Sequence, residues 1–116
     1  MYIGLLDRHD RWEKRMNETE VTIVRLYLHE AKAHMHELLQ YLHDESKVQG
    51  VTVFRGITGF GSSGTVHSST LIDMSLDLPI VIEFFDAAEK VEPIIEHLNT
   101  LIKPGCIVYW SAKINL

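Results

Sequence analysis

The stretch that offers the most chemistry is residues 55–67, which read RGITGFGSSGTVH. It holds four of the seven glycines of the chain, and residues 56–70 contain no Asp, Glu, Lys or Arg. Glycine lets backbone N–H groups approach a ligand closely, and successive N–H groups in tight turns form concave anion sites. A loop this long in a compact domain is usually functional or disordered. The composition therefore predicts a switchable phosphate- or carboxylate-binding loop, or else a flexible hairpin tip.

Two side chains extend this hypothesis. Arg55 ends the apolar segment before the loop, where it could hold an anion by a bidentate contact or form a surface ion pair with Glu83 or Asp86. His67 is the titratable group of the loop, able to bind a phosphate or a metal, to sense pH, or to make a hydrogen bond within the loop. The spacing is not that of a P-loop, since no Gly-Lys-Ser/Thr follows Gly59.

Catalytic and metal-binding patterns are not evident in the sequence. The serines of the loop have no accompanying Ser-His-acid triad, and Cys106, at the start of an apolar strand, is predicted to pack as a small hydrophobe. His36 and His43 are two turns apart on a polar helix face, too far apart to share a metal. We therefore expect a protein that is not an enzyme, with no metal site indicated and no cofactor identified by the residues.

The elements that position the loop follow from periodicity. Short runs rich in β-branched and aromatic residues predict four strands, and Pro79 fits the first position of the third. Apolar residues at helical spacing predict a first helix, which Gly50 ends. The second helix begins at Asp86 or Ala87, or else near Glu92 with Pro93 in its first turn, and its apolar stripe reaches Ile102. The predicted strands are residues 21–28, 51–55, 80–85 and 106–110, and the predicted first helix is 33–48.

The order β-α-β-β-α-β predicts an α+β, ferredoxin-like fold, with a four-stranded antiparallel sheet and both helices on one face. Two helices cover only one face, yet three strands carry apolar residues on both. A bare second face would be a large exposed apolar patch. We therefore expect a homo-oligomer.

Composition limits the remaining possibilities. The chain of 116 residues suits one core, here residues 21–116 after an N-terminal extension at 1–20. A net charge of −5 argues against nucleic-acid binding, and a single cysteine favours the reducing cytoplasm. No apolar run is long enough to cross a bilayer, so we expect no membrane insertion.

The motif Arg55-Gly56, Gly59-Phe60-Gly61 and His67, followed by Leu78-Pro79 and Glu83, resembles the domain-of-unknown-function-190 family, which is grouped with the PII-like proteins. The resemblance covers roughly residues 21–114. It implies a ferredoxin-like homotrimer with a regulatory role. The nitrogen-regulatory PII proteins bind adenine nucleotides between subunits, and their loop signals to a partner protein.

Carried over, this resemblance implies that residues 55, 56 and 59–61 line such a cleft. Ser62 and Ser63 stand where PII proteins have a lysine, and the second helix–strand connection is reduced to residues 103–105. A small anionic ligand less charged than a triphosphate is therefore expected, with an adenine nucleotide as one candidate. The ligand-binding residues predicted are Arg55, Gly56, Gly59, Phe60, Gly61, Ser62, Ser63 and His67.

Three functional hypotheses follow. The first is a trimeric, PII-like sensor whose loop engages a transporter or an enzyme. The alternative is a divalent-metal-binding trimer related to cation-tolerance proteins, using His67 with His29 or His34. The third is a structural adaptor without a ligand.

Overall fold

The structure is a computed structural model that describes residues 18–30, 34–60, 66–68 and 78–115, of which 66–68 are described by their backbone alone. Within these residues the chain forms six strands and two α-helices. In chain order they are β1 (Thr19–His29), α1 (Met35–Gln40), β2 (Gly50–Arg55), β3 (Thr58–Phe60), β4 (Val66–Ser68), β5 (Pro79–Asp86), α2 (Ala88–Leu98) and β6 (Ile107–Ile114). The extension predicted at 1–20 lies mostly outside the described residues, and β1 begins two residues before the predicted strand.

Four strands form one antiparallel sheet in the order β2-β5-β1-β6. The short strands β3 and β4 pair separately as a hairpin that continues from β2. Pro79 is the first residue of β5, as predicted, and β6 continues past Trp110 to Ile114. The predicted ferredoxin-like fold is therefore confirmed.

The hydrophobic core lies between one face of this sheet and the two helices. Val24 and Leu26 of β1 are opposite Phe84 and Ile82 of β5, and all four are fully buried. The helical residues that cover them are Leu38, Leu42, Val91, Ile94 and Leu98. Apolar residues that alternate along the strands and recur at helical spacing in the helices thus form one buried layer between sheet and helices.

The first helix is shorter than predicted. After Gln40 it widens into a π-helical segment, Tyr41–Glu45, and Ser46 N–H donates to the carbonyl of Tyr41 at 2.9 Å. Lys47 then adopts a left-handed conformation with φ of 51°, so it ends the helical segment in place of Gly50. Gly50 instead begins β2 opposite Phe85, where a Cβ would lie 2.9 Å from the ring.

The second helix begins at Ala88, so the prediction that it begins near Glu92 is wrong. Pro93 is therefore its sixth residue, with an exposed ring and no N–H to bond to the carbonyl of Glu89. The helix also ends earlier than the apolar stripe, at Leu98. Turns follow, leaving Leu101 60% exposed while Ile102 stays buried.

Asp86 ties the start of α2 to the sheet. Its carboxylate accepts hydrogen bonds from Ala87 N–H at 2.7 Å and Gln49 N–H at 3.0 Å, and it pairs with Lys90 at 3.0 Å. Burial raises the pKa of Asp86, but these hydrogen bonds and the Lys90 charge outweigh it, so the pKa lies below its ordinary value. The carboxylate thus links the end of β5 to the residue before β2 and to the first turn of α2.

The other face of the sheet, which we call the open face, is the one that the helices leave uncovered. Its centre carries an ion pair between Arg25 and Glu83 at 2.8 Å, and the Arg25 guanidinium lies 5.7 Å from the Trp110 ring centroid. The hydrogen bond to Glu83 contributes most to raising the pKa of Arg25, so this cation stays charged. Large side chains around this pair are 40–47% exposed, namely Tyr27, Phe54, Val108 and Trp110. Apolar residues thus occupy both faces, as the sequence predicted.

Replacing Pro93 by alanine tests the helix assignment. Pro93→Ala should raise the free energy of unfolding by about 1–3 kcal/mol, because it restores a helical hydrogen bond and deletes an exposed ring. Urea unfolding at fixed protein concentration measures this change. Glu92→Ala, on the neighbouring exposed residue, is the control and should stay within about 0.5 kcal/mol. A loss of stability in Pro93→Ala would contradict the assignment.

Candidate ligand groove at the base of the glycine loop

The glycine loop, by which we mean the whole connection between β2 and β5 (residues 56–78), is held at both ends near the start of β5. Gly56 N–H donates to the carbonyl of Pro79 at 2.7 Å, where the chain leaves β2. At the other end, the carbonyl of Leu78 accepts the N–H of Glu30 at 2.8 Å. Because β5 lies between β2 and β1 in the sheet, the loop begins and ends over a single strand terminus.

Two glycines let the loop pass close to Pro79. A Cβ on Gly56 would lie 3.0 Å from Cγ of the proline ring and 3.3 Å from its carbonyl oxygen. A Cβ on Gly59 would lie 3.3 Å from the same Cγ. All three distances are shorter than an ordinary van der Waals contact, so these positions favour glycine for close packing.

Beside this contact lies a groove of about 950 Å³. It runs from the base of the β3–β4 hairpin to the connection between α2 and β6. Aromatic side chains at its walls are Tyr27, Tyr41, Phe54 and Phe60. A volume of this size is at the upper end of the range for small-molecule sites, which are usually lined by apolar and aromatic groups.

Arg55 lies in this groove, but its partner is not the one predicted. Its guanidinium donates to Oε1 of Glu30, at the end of β1. The two carboxylates considered in the sequence are engaged elsewhere, since Glu83 pairs with Arg25 and Asp86 with Lys90. The prediction of an ion pair with Glu83 or Asp86 is therefore wrong. The strand register places Arg55 opposite Ile80, at the end of the sheet where Glu30 follows β1, whereas Glu83 is opposite Thr52.

Lys103 is a groove residue that sequence reasoning did not select. It lines the same groove as Arg55, together with Pro104 and Gly105. The available signal was its position as the one cation of the connection between α2 and β6. The structure thus brings a second positive charge to the groove from a distant part of the chain.

The predicted ligand-binding residues divide into two groups. Arg55, Gly56, Gly59 and Phe60 all line the groove. Gly61, Ser62 and Ser63 lie outside the described residues. The backbone of His67 is opposite Gly59 in the hairpin, and its side chain is not described. Ligand binding by this set remains a prediction.

Two histidines that the metal-binding hypothesis names lie in the groove. His29 and His34 both line it, and Nδ1 of His34 lies 3.9 Å from Oε2 of Glu37. Among the residues that the structure describes, no group of three His, Cys, Asp or Glu side chains has the proximity a metal requires. Cys106 is half-buried against the core, as predicted for a small hydrophobe.

Comparison with known families identifies the chain. A profile of the family DUF190, "Uncharacterized ACR", matches residues 21–114. The chain belongs to this family. Curated DUF190-like relatives include the UPF0166 protein MJ1524 of Methanocaldococcus jannaschii, 31% identical over 74% of this chain and 82% of that protein. A UPF0166 protein of Aquifex aeolicus is 32% identical over 52% of this chain, and the match spans 60% of that protein.

Solved structures confirm the PII-like fold of this DUF190 chain. CPII from Thiomonas intermedia K12, bound to ADP and bicarbonate, superposes with a TM-score of 0.60 at 22% identity. A second CPII structure, bound to ADP, AMP and bicarbonate, gives a TM-score of 0.61 at 22% identity. Both matches cover 85% of this chain and 90% of CPII.

The glycine packing gives a prediction about the groove base. Gly56→Ala should lower the free energy of unfolding by about 1–3 kcal/mol, because its Cβ meets both the ring and the carbonyl of Pro79. Gly59→Ala, whose Cβ meets only the ring, should cost less. Urea unfolding of the two variants measures the difference. Equal losses would show that the close approach at Gly56 does not set the loop base.

Proposed function

We propose that this protein is a PII-like regulator that binds a small anionic ligand, an adenine nucleotide being the first candidate, in the groove at the loop base. The observation that carries the proposal is the meeting of Arg55, Phe60 and Lys103 in one groove. Aromatic walls suit the stacking of an adenine ring, and cations suit its phosphates. The CPII structures, which hold ADP, AMP and bicarbonate, support the same ligand class.

The charge of the groove favours a ligand with few negative charges. Among the described lining residues the lysine and arginine side chains are those of Arg55 and Lys103, while Glu37 adds a carboxylate. Arg55 is moreover already paired with Glu30. A monophosphate or diphosphate therefore matches the groove better than a triphosphate, as does a smaller anion such as bicarbonate.

The proposed assembly is a homotrimer with the open faces inward. The support is the group of half-exposed aromatic residues around a self-neutralised Arg25–Glu83 pair. A face without net charge can approach a second copy with little repulsion, and burial of its apolar area would stabilise the contact. In such a trimer the groove of one chain forms one wall of a cleft between subunits.

Signalling is proposed to pass through residues 56–70. Ligand binding beside Arg55 acts where the loop leaves the sheet, so it can change the population of loop conformations. A transporter or an enzyme is the expected partner, and the protein itself is proposed not to be an enzyme. No helix among the described residues has the length and hydropathy to cross a membrane. The cytoplasmic location and the metal-binding alternative stay predictions.

Nucleotide binding is tested by titration calorimetry with ADP and AMP at fixed salt. Arg55→Gln should weaken ADP binding about 10- to 100-fold, because it removes charge-assisted hydrogen bonds to the phosphates. Lys113→Gln removes a cation from exposed β6, outside the groove, and should leave the affinity unchanged. Unchanged affinity in Arg55→Gln, or no heat with either nucleotide in the parent protein, would contradict the proposal.

The oligomer is tested by light scattering coupled to size exclusion. Val108→Glu should shift the mass from three subunits toward one. It adds a second carboxylate opposite Arg25, so the open face would have to bury a net negative charge. Ala88→Glu, which adds the same charge on exposed α2, should keep the parent mass. A monomeric parent protein at micromolar concentration would refute the assembly.

A further inference from the structure

The ion pair between Glu30 and Arg55 joins two strands that are not neighbours. Arg55 ends β2 and Glu30 follows the last residue of β1, while β5 lies between these strands. Arg55 is opposite Ile80 in β5, and His29 is opposite Pro79. The pair, which we call the clasp, therefore crosses over the first residues of β5.

Both ends of the glycine loop meet beneath this clasp. Glu30 also holds Leu78 through its backbone N–H, and the residue after Arg55 holds Pro79 through its own. Glu30 thus contacts both ends of the loop. Its carboxylate accepts a hydrogen bond from Arg55 at the entrance, and its backbone N–H donates to Leu78 at the exit. Disturbing the clasp acts on both ends at once.

The exposures of the two side chains are unequal. The Arg55 side chain is 58% exposed, whereas that of Glu30 is 19% exposed. The guanidinium can therefore be reached from the groove, while the carboxylate is held against the protein. An incoming anion would meet an arginine whose charge is already neutralised by a fixed carboxylate.

We propose that Glu30 is an intramolecular competitor for Arg55 and so determines which anions the groove accepts. An anionic ligand must either displace this carboxylate or bind beside it against charge repulsion. Either route lowers the affinity of the groove for the anion. A phosphate with two charges competes better than a singly charged carboxylate. Displacement frees Glu30 from Arg55, which links ligand binding to the loop base.

This inference rests on the proposed function, because it assumes that Arg55 contacts the ligand. It adds a specificity-determining residue that does not line the groove itself. It also attributes weak anion binding to the Glu30–Arg55 contact and not to the small number of cations in the groove. The two explanations predict different responses to removing one carboxylate or another.

The test is Glu30→Gln, which keeps the size of the side chain and removes its charge. ADP and inorganic pyrophosphate should each bind this variant about three- to tenfold more tightly than the parent protein at low salt. The gain should disappear near 1 M salt, where charges are screened within about 3 Å. Glu37→Gln is the matched control, since Glu37 lines the same groove and pairs with His34.

Four outcomes distinguish the explanations. A clear gain in Glu30→Gln with a much smaller one in Glu37→Gln supports competition at Arg55. Equal gains in both variants would overturn it in favour of overall groove charge. Unchanged or weaker binding of both anions by Glu30→Gln would overturn it outright. Failure of ADP to bind any variant, with pyrophosphate still preferring Glu30→Gln, would refute nucleotide binding and retain the competitor.

Folding of the variant is checked by its thermal unfolding midpoint. If Glu30→Gln is unfolded, Glu30→Asp is the second variant. Its shorter side chain moves the carboxylate away from Arg55 and keeps the charge. Pyrophosphate should then bind Glu30→Asp more tightly than the parent protein. An equal or lower affinity in that folded variant would overturn the proposal.

Discussion

A four-stranded sheet has two faces, and the two helices of this chain cover only one of them. The covered face supplies the core, where Val24, Leu26 and Phe84 are fully buried. The open face also carries large apolar side chains, and it has an ion pair at its centre. Because strand residues alternate between faces, neither face can be made polar without changing every second residue. We therefore propose that a partner covers the open face, and that this partner is another copy of the chain.

The central position of β5 decides where the groove forms. This strand pairs with both β1 and β2, so its first residue, Pro79, lies between the ends of the two. The loop that precedes it must return to the same point from which β2 ends. Close packing of Gly56 on Pro79 then keeps the hairpin base against the sheet. A ligand in the proposed groove would therefore contact the residues from which the loop starts.

Charge is distributed in pairs at the points where elements meet. Arg25 and Glu83 form a pair on the open face. Lys90 and Asp86 form a pair at the start of α2. Arg55 and Glu30 form the third pair, at the loop base. The first pair joins two adjacent strands, and the second joins the last residue of β5 to the first turn of α2. The third crosses an intervening strand and involves an arginine that is accessible from a groove. That difference is why only the third pair is assigned a part in ligand recognition.

Much of the fold was predictable from the sequence, because its determinants are local. Period-two runs of β-branched residues located the strands, Pro79 marked a strand start, and the apolar stripes located both helices. Apolar residues on both strand faces also indicated that one face needs a cover. Four predicted site residues, Arg55, Gly56, Gly59 and Phe60, do line one groove. These features depend on neighbouring residues and on side-chain alternation, which a sequence states directly.

Only the tertiary structure decided the rest. Glu30 is 25 residues from Arg55, and nothing local selects it over Glu83 or Asp86. Lys103 reaches the groove because the α2–β6 connection passes the end of the sheet. Pro93 remains inside a helix because burial of Val91 and Ile94 on either side outweighs one missing hydrogen bond. Strand register and packing set these contacts. The glycine loop could therefore be predicted from the sequence, whereas Glu30 and Lys103 at its base could not.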